Sequence, residues 1–296
     1  MTSVRMPAPA RPHAARLQVG VLGTGRAGSV LGAALRRAGH EVVAASAVSA
    51  ASRARAAALL PEVPLVEPRE VLRRASLVLL AVPDDVLPAL VEGLAATGAV
   101  RRGQLLAHLS GRHGLAVLEP ATQQGALPLA LHPVLPLTGT DVDLTRLVGA
   151  SFGVTSPEVL RPVAETLVLE MGAEPVWVQD ALRPLWHAAL AHGANHLVTL
   201  VASAADLLRA AGADDPAAVL GPLLGAALDG ALRSGDGALT GPVSRGDAGT
   251  VAAHLAVLPD GVRPAYLALA RLTADRALAD GRLRVEDAAG LLQVLA

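Results

Sequence analysis

A glycine-rich hexapeptide near the amino terminus has the spacing that brings a peptide backbone close to phosphate groups. It reads Gly23-Thr24-Gly25-Arg26-Ala27-Gly28 and lies between an expected strand and an expected helix, the context that a dinucleotide site requires. Gly23 would permit the tight turn, Gly25 the approach of the pyrophosphate, and Gly28 the packing of helix on sheet. The free N–H groups at the start of the helix would then bind phosphate. An ordinary tight turn is the alternative.

The residues after the second expected strand favour NADP(H) over NAD(H). Enzymes that use NAD place a carboxylate about twenty residues beyond the fingerprint, where it binds the ribose 2′-hydroxyl. This chain has no carboxylate there and offers Ser46, Ser49 and Arg53 instead. Hydroxyl groups and a guanidinium would accommodate a 2′-phosphate. A solvated helix face carrying Arg53 and Arg55 is the alternative.

Further strand ends should lie near the same ligand, because open α/β sheets bind ligands beyond the carboxyl ends of their strands. Val82 and Pro83 end one expected strand, and Ser110 ends the next. The pair that Ser110 forms with the following glycine is equally typical of a turn. His132 precedes a proline, which holds it extended at another strand end, beside Ser110. A buried structural histidine is the alternative.

A helix further along the chain carries the candidate proton donor. His187 and Asn195 are two steps of four residues apart, so an unbroken helix would present both from one face. An imidazole exchanges protons near neutral pH, and Asn195 could hold a substrate oxygen or the nicotinamide amide. Surface or core roles are the alternatives. His192 and His196 have the spacing of two zinc ligands, but a third ligand is missing, and no metal site is predicted.

A loop near residue 245 holds the candidate substrate clamp. Arg245 could bind a substrate carboxylate through a bidentate pair, including across a dimer. Asp247 is predicted to cap the helix that follows it.

The pattern of apolar residues predicts the elements that carry these side chains: an α/β domain followed by a helical one. Short apolar runs alternate with helical segments from Leu17 to about Asp180, and Leu77–Val82 is typical of a strand buried on both faces. We therefore predict a doubly wound parallel sheet over residues 17–180. Only helical spacing follows, which predicts an all-helical domain over residues 181–296 that begins with one helix over residues 182–211. Residues 1–16 are predicted to be a disordered tail without the apolar region of a signal peptide.

Composition narrows the classes of function. The net charge is −1 and aromatic residues make up 1% of 296 residues, which argues against a nucleic-acid partner. No run is long enough for a membrane helix, so a soluble protein is predicted. The chain has no cysteine, which fits the reducing cytoplasm. It also has no lysine, which excludes Schiff-base catalysis and a lysine general acid.

Taken together, the motifs resemble one family in their order and spacing. They are the fingerprint and the stretches Ala81–Asp85, His108–Gly111, Leu131–Gly139, His187–Asn195 and Leu239–Asp247. They resemble Rossmann-like oxidoreductases that carry a C-terminal domain of unknown function 2520. The resemblance implies a Rossmann-type domain, a helical domain similar to that of 6-phosphogluconate dehydrogenase, and a homodimer. Pyrroline-carboxylate reductases and β-hydroxyacid dehydrogenases are more distantly similar. The lysine that β-hydroxyacid dehydrogenases use is missing, so another proton donor must serve.

The sequence thus predicts a cytoplasmic NADP(H)-dependent oxidoreductase for a small polar carbonyl, imine or hydroxyl substrate, bound in a cleft between the domains. His187 or His132 would handle the proton, and Asn195, Ser110 or Arg245 would orient the substrate. An NADP reductase linked to the deazaflavin F420 is one alternative. A non-catalytic NADP(H)-binding sensor or scaffold is the other.

Overall fold

The computed structural model describes residues 16–296, so the predicted tail lies outside the described residues except for Arg16. The described chain forms two compact units, one ending at Gly193 and the other spanning Ala194–Ala296. The first holds all of the strands and the second is helical.

The first unit is built on a seven-stranded sheet. Its strands are β1 (Gln18–Leu22), β2 (Glu41–Ser46), β3 (Leu77–Leu80), β4 (Leu105–His108), β5 (Leu127–Pro133), β6 (Ser151–Thr155) and β7 (Glu174–Trp177). They lie in the order β2-β1-β3-β4-β5-β6-β7. The predicted doubly wound sheet is confirmed, and Leu65, between β2 and β3, forms a single parallel bridge to Ala45.

One strand pair departs from the predicted parallel arrangement. All neighbours are parallel except β5 and β6, which are antiparallel. The connection between them contains only a helix of five residues, Val142–Arg146. At about 1.5 Å per residue, such a helix is too short to carry the chain back along the sheet for a parallel crossover.

Thirteen α-helices are described along the two units. They are α1 (Arg26–Arg37), α2 (Ala50–Leu59), α3 (Pro68–Arg74), α4 (Leu87–Ala96), α5 (Glu119–Thr122), α6 (Val142–Arg146), α7 (Arg161–Glu170), α8 (Arg183–Leu190), α9 (His196–Ala210), α10 (Pro216–Ser234), α11 (Ala248–Val257), α12 (Arg263–Ala279) and α13 (Val285–Leu295).

The sheet is buried on both faces, as the continuous apolar strand predicts. Leu77 and Leu79 of β3 enter one core with residues of α1 and α7. The alternate residues Val78 and Leu80 enter a second core with residues of α3 and α4. This burial fixes the strand register, so the carboxyl ends of β1, β3, β4 and β5 reach the same edge.

The helix predicted over residues 182–211 is interrupted. Between α8 and α9 the chain forms a π-helical turn, Ala191–Asn195. Such a turn closes its backbone hydrogen bonds five residues on instead of four, so His187 and Asn195 do not lie on one continuous α-helix. The prediction of one unbroken helix carrying both His187 and Asn195 is therefore corrected.

The boundary between the units also lies later than the predicted residue 180, inside this π-helical turn. The reason is that α8 is fixed to the sheet by its first residue. The guanidinium of Arg183 donates to the carbonyl oxygen of Ser110 (2.6 Å) and to Oγ1 of Thr155 (3.0 Å).

The second unit has its core in α11, α12 and α13, where Val251, Ala274 and Leu291 are fully buried. The long helices α9 and α10 differ, because α9 buries no residue and α10 buries only Pro216 and Leu220. No helix in residues 16–296 is long and apolar enough to cross a membrane. Asp247 caps α11 by accepting from the Thr250 N–H (3.0 Å), as predicted.

Candidate functional site

The fingerprint forms the predicted turn between β1 and α1. Gly23 has a φ of 93°, and a Cβ on it would lie 2.5 Å from the carbonyl oxygen of Ala81 at the end of β3. A Cβ on Gly28 would lie 2.1 Å from the carbonyl oxygen of Gly23. Both positions therefore need glycine for the fold itself. The strand order reverses between β1 and β3, which is where doubly wound sheets bind their ligands.

Gly25 differs, because nothing in the described chain requires glycine there. Its φ is −69°, and a Cβ on it would meet nothing within 4 Å. Gly25 is the N-cap of α1, whose first N–H groups (Arg26, Ala27 and Gly28) have no partner inside the helix. The first turn of α1 carries no acidic side chain. This open, electropositive helix start fits the phosphates of a dinucleotide.

The hydroxyl groups around the turn mainly hold it in place. Ser46 accepts from the Gly23 N–H (3.2 Å) and keeps its own O–H for another acceptor. The buried Thr24 donates to the Ser52 carbonyl oxygen (3.0 Å), so its side chain connects the fingerprint turn to α2. Ser49 caps α2 by accepting from the Ser52 N–H (3.1 Å).

Three arginines lie within the fingerprint or on α2. Arg26 and Arg53 are exposed and Arg55 is half-buried. None of the three has a hydrogen bond or ion pair within the part of the chain that the structure describes. Their charges are therefore available to an anion.

The loop after β5 lies against the same region. A Cβ on Gly139, whose φ is 83°, would lie 2.9 Å from Nε of Arg55 and 3.2 Å from Cα of Arg26. The buried carboxylate of Asp143 holds this loop by accepting from the N–H groups of Thr138 (2.8 Å) and Gly139 (2.7 Å). Asp143 thus positions the loop next to the arginines.

A second cluster forms at the ends of β4 and β5 and on α8. A Cβ on Gly111 would lie 2.5 Å from Cδ2 of His187 and 2.9 Å from Nε2 of His132. The two imidazoles meet edge to face, with ring centroids 5.6 Å apart. The structure therefore brings together three of the predicted catalytic residues: Ser110, His132 and His187.

His132 is held as a neutral imidazole. The indole N–H of Trp186 donates to its Nδ1 (3.4 Å), and because an indole only donates, the ring proton of His132 belongs on Nε2. Burial first, and then His187 and Arg183, lower the pKa of His132 to about 4. At neutral pH His132 is therefore a hydrogen-bond donor at Nε2 and not a source of a proton.

Trp186 reaches His132 because position 153 is glycine. A Cβ on Gly153 would lie 2.7 Å from Nε1 of Trp186. We expect Gly153→Ala to lower the free energy of unfolding by about 1–3 kcal/mol, as measured by urea denaturation. The same change in a Trp186→Leu background should cost clearly less. Equal costs in both backgrounds would show that the indole does not set this requirement.

The side chain of Arg183 connects the loop after β4 to strand β6 beside the cluster. It is fully buried, and it donates to Ser110, to Thr155 and, at 3.4 Å, to the carbonyl oxygen of Gly153. Burial lowers the pKa of Arg183 to about 10, against the opposing charges of Asp180 and Asp84. The side chain remains a cation at neutral pH.

The loops after β3 and β4 are tied to each other. Ser110 accepts through Oγ from the N–H of His113 (3.1 Å). His113 in turn contacts the carbonyl oxygen of Asp84 through Nε2 (2.9 Å). Val82 and Pro83 precede Asp84 in the loop after β3, so these contacts join that loop to the histidine cluster.

The remaining predicted residues belong to the second unit. Asn195 is exposed at the end of the π-helical turn. Arg245 is exposed at the end of a short 3-10 turn, Val243–Arg245, and its charge helps to lower the pKa of Asp247 after the Thr250 hydrogen bonds.

The sequence alone does not single out five residues that shape the site: Arg183, Trp186, Gly111, Gly153 and Asp143. One signal was present, because Arg183, Trp186 and His187 are spaced three and four residues apart and so share a face of α8. The two glycines carry no such signal, since their role depends on the rings that pack against them.

The buried histidines make stability dependent on pH. Burial lowers the pKa of His108 to about 3, as it lowers that of His132 to about 4. An unfolded histidine titrates near pH 6.5, so between about pH 6.5 and 4 the unfolded chain binds protons that the folded chain does not. We therefore expect the free energy of unfolding to decrease as the pH is lowered through this range, by up to about 1.4 kcal/mol per pH unit for each histidine. His132→Asn should make the slope shallower, and an unchanged slope would contradict this assignment.

Comparisons with known proteins agree with this architecture. Residues 5–133 match the family model of the Rossmann-like domain, and residues 150–273 match that of the domain of unknown function DUF2520. The chain therefore belongs to the proteins that combine a Rossmann-like domain with DUF2520, as its motifs predict. No curated protein matches the sequence.

Several solved structures share the fold over most of the chain. A protein from Bacteroides fragilis assigned as an NADP oxidoreductase has a TM-score of 0.73 at 20% identity, over 88% of this chain and 98% of that one. An imine reductase from Pseudomonas sp. has a TM-score of 0.65 at 18% identity, over 95% and 100%. A reductive aminase from Aspergillus terreus, in complex with NADPH and ethyl levulinate, has a TM-score of 0.64 at 19% identity, over 90% and 95%.

Proposed function

We propose that this protein is an NADP(H)-dependent oxidoreductase for a small polar carbonyl, imine or hydroxyl substrate. The observation that carries the proposal is the open helix start at Gly25, which no packing within the described residues accounts for. The Bacteroides and Aspergillus structures support it through the cofactor that their names give. NADP(H), when bound, supplies or accepts a hydride.

The residues of the fingerprint would hold the pyrophosphate, and Ser46 and the nearby arginines would hold the ribose phosphate. Ser46 has a free O–H at the end of β2, and Arg53 and Arg55 lie on α2 directly after it. Val82, whose Cγ1 would lie 3.3 Å from a Cβ on Gly23, and Pro83, which follows it in the chain, would line the same site.

The charge at position 53 should decide the cofactor preference. We expect Arg53→Ala to weaken NADPH binding about tenfold or more and to leave NADH binding within about twofold, because only NADPH carries the 2′-phosphate. Arg55→Ala should also weaken NADPH binding more than NADH binding. The matched control is Arg37→Ala, at the opposite end of α1, which should change neither. Equal loss for both nucleotides, measured by calorimetry, would contradict the assignment.

His187 would transfer the proton and His132 would donate a hydrogen bond. Because His132 is neutral at physiological pH, His187 is the member of the pair that is left for proton transfer. Ser110 would orient the substrate between the cofactor and the histidines. Asn195 and Arg245 stay in the proposal as substrate contacts from the second unit.

A homodimer is part of the proposal. Exposed apolar side chains on α9 and α10 support it: Leu197, Val198, Leu200, Val219, Leu223, Leu228 and Leu232. Helices this long and apolar need a covering surface. Analytical ultracentrifugation should show two copies, and a monomer at micromolar concentration would contradict it. The cytoplasmic location stays a prediction of the sequence.

Turnover separates this function from a non-catalytic sensor. Purified protein should oxidise NADPH in the presence of some member of a panel of small ketones, oxo acids and cyclic imines, followed by the absorbance of the reduced nicotinamide. A sensor would bind NADPH and consume none. A deazaflavin-linked reductase would consume NADPH only when F420 is added.

A further inference from the structure

We propose that the substrate is a carbonyl compound, whose oxygen gains negative charge during reduction, and not a cationic iminium. This inference rests on the proposed oxidoreductase function and deepens it. It comes from the charge that the Gly111–His132–His187 cluster presents, since a site accelerates a reaction when its fixed charges match those that develop.

The first observation is a buried cation with only neutral contacts. The guanidinium of Arg183 donates to two carbonyl oxygens and one hydroxyl, and its Nε has no partner in the described chain. A buried ion is normally paired with one of opposite charge. The two carboxylates that act on it at a distance are engaged elsewhere: Asp84 by Arg112 (3.4 Å) and Asp180 by the Leu115 N–H (2.7 Å).

The second observation is that hydrogen-bond donors predominate at the cluster. His132 presents its Nε2–H beside Gly111, because Trp186 occupies the other ring nitrogen. The N–H of Gly111 has no acceptor among residues 16–296. Arg183 donates to the carbonyl oxygen of the same peptide group, which polarises it and strengthens the N–H as a donor.

These features match an oxygen that becomes negative. In a carbonyl reduction the carbon gains a hydride from the reduced nicotinamide, which is oxidised, and the oxygen gains a proton, so the charge builds on oxygen. The Nε2–H of His132 and the N–H of Gly111 would stabilise that oxygen, and His187 would supply its proton. An iminium arrives with a positive charge, which the buried Arg183 opposes, and no carboxylate in the described residues contacts the cluster to offset it.

The test compares two planar ligands of equal size and opposite charge, acetate and acetamidinium. Each is titrated into the full-length protein labelled with ¹⁵N-histidine, and the signals of His132 and His187 are assigned with His132→Gln and His187→Gln. We expect acetate to bind at least about tenfold more tightly than acetamidinium. Equal or tighter binding of acetamidinium, or no response to acetate, would overturn the proposal.

The spectra also report the tautomer. In the parent protein the proton of His132 should be on Nε2, whereas Trp186→Phe should populate both tautomers and weaken acetate binding about threefold or more. A proton on Nδ1 in the parent would overturn the proposal. This variant keeps the buried Arg183 and so avoids the unfolding that removal of a buried guanidinium risks.

The outcome is separable from that of the proposed function. If NADPH binds and acetamidinium is preferred, only the substrate class is wrong. If acetate is preferred and NADPH does not bind, the oxidoreductase function is wrong, and the site remains one for anions.

Discussion

The Gly25→Ala variant is expected to keep a free energy of unfolding within about 1 kcal/mol of the parent's, the usual cost of alanine at an N-cap, and to lose at least about a hundredfold of its affinity for NADPH. A Cβ at position 25 meets nothing within 4 Å in the described chain, so the fold should accept it. The same methyl group would stand where the pyrophosphate must approach the N–H groups of α1. Urea denaturation and calorimetric titration of NADPH measure the two effects separately.

Two matched glycine changes control this result. Gly93→Ala, in the exposed part of α4, also meets nothing within 4 Å and should leave NADPH affinity unchanged while stabilising the helix by about 0.5–1 kcal/mol. Gly28→Ala should instead destabilise the whole unit, because its Cβ collides with the Gly23 carbonyl oxygen at 2.1 Å. If Gly25→Ala kept full affinity, the helix start at Gly25 would not be the phosphate site.

The His187→Gln variant is expected to bind NADPH normally and to lose turnover by about 10²–10⁴-fold, the usual contribution of a general acid. His187 is half-buried and stands against Gly111 and the ring of His132, where a substrate oxygen would lie. Glutamine keeps a polar side chain of similar length but exchanges no proton. Steady-state kinetics on the best substrate of the panel, together with NADPH titration, give the measurement.

The matched control for His187→Gln is His254→Gln. His254 lies on α11 in the second unit, where its Nδ1 is 2.9 Å from the hydroxyl of Tyr266. Its replacement should leave kcat within about twofold. Turnover that survived His187→Gln would remove His187 as the proton donor, and the remaining acid would have to be sought among the other groups of the cluster.

The fold could be predicted from local patterns. Strand β3 is a run of apolar residues between turn signals, and the glycines of the fingerprint follow β1 at the spacing that the turn demands. Local signals also mark boundaries: α10 (Pro216–Ser234) begins after its capping residue Asp215 and ends before Gly235.

The details of the candidate site could not be predicted, because they depend on contacts between residues that are distant in the sequence. The π-helical turn Ala191–Asn195 interrupts a continuous apolar pattern, so the sequence predicts one helix where the structure has two. Arg183 looks like an ordinary charged residue at the start of a helix, and only the structure shows it fully buried beneath Ser110. Residues distant in sequence, such as Gly153 and Trp186, find each other through the sheet register.

Calorimetric titration of the purified protein with NADPH and with NADH tests whether the chain binds NADP(H) at the fingerprint turn. We expect saturable binding of NADPH, with NADH binding weaker by about tenfold or more because NADH lacks the 2′-phosphate. Comparable binding of both nucleotides would leave the fingerprint in place and contradict the role of Ser46 and Arg53. Binding of neither nucleotide would make the fingerprint an ordinary turn, and the oxidoreductase function would be wrong.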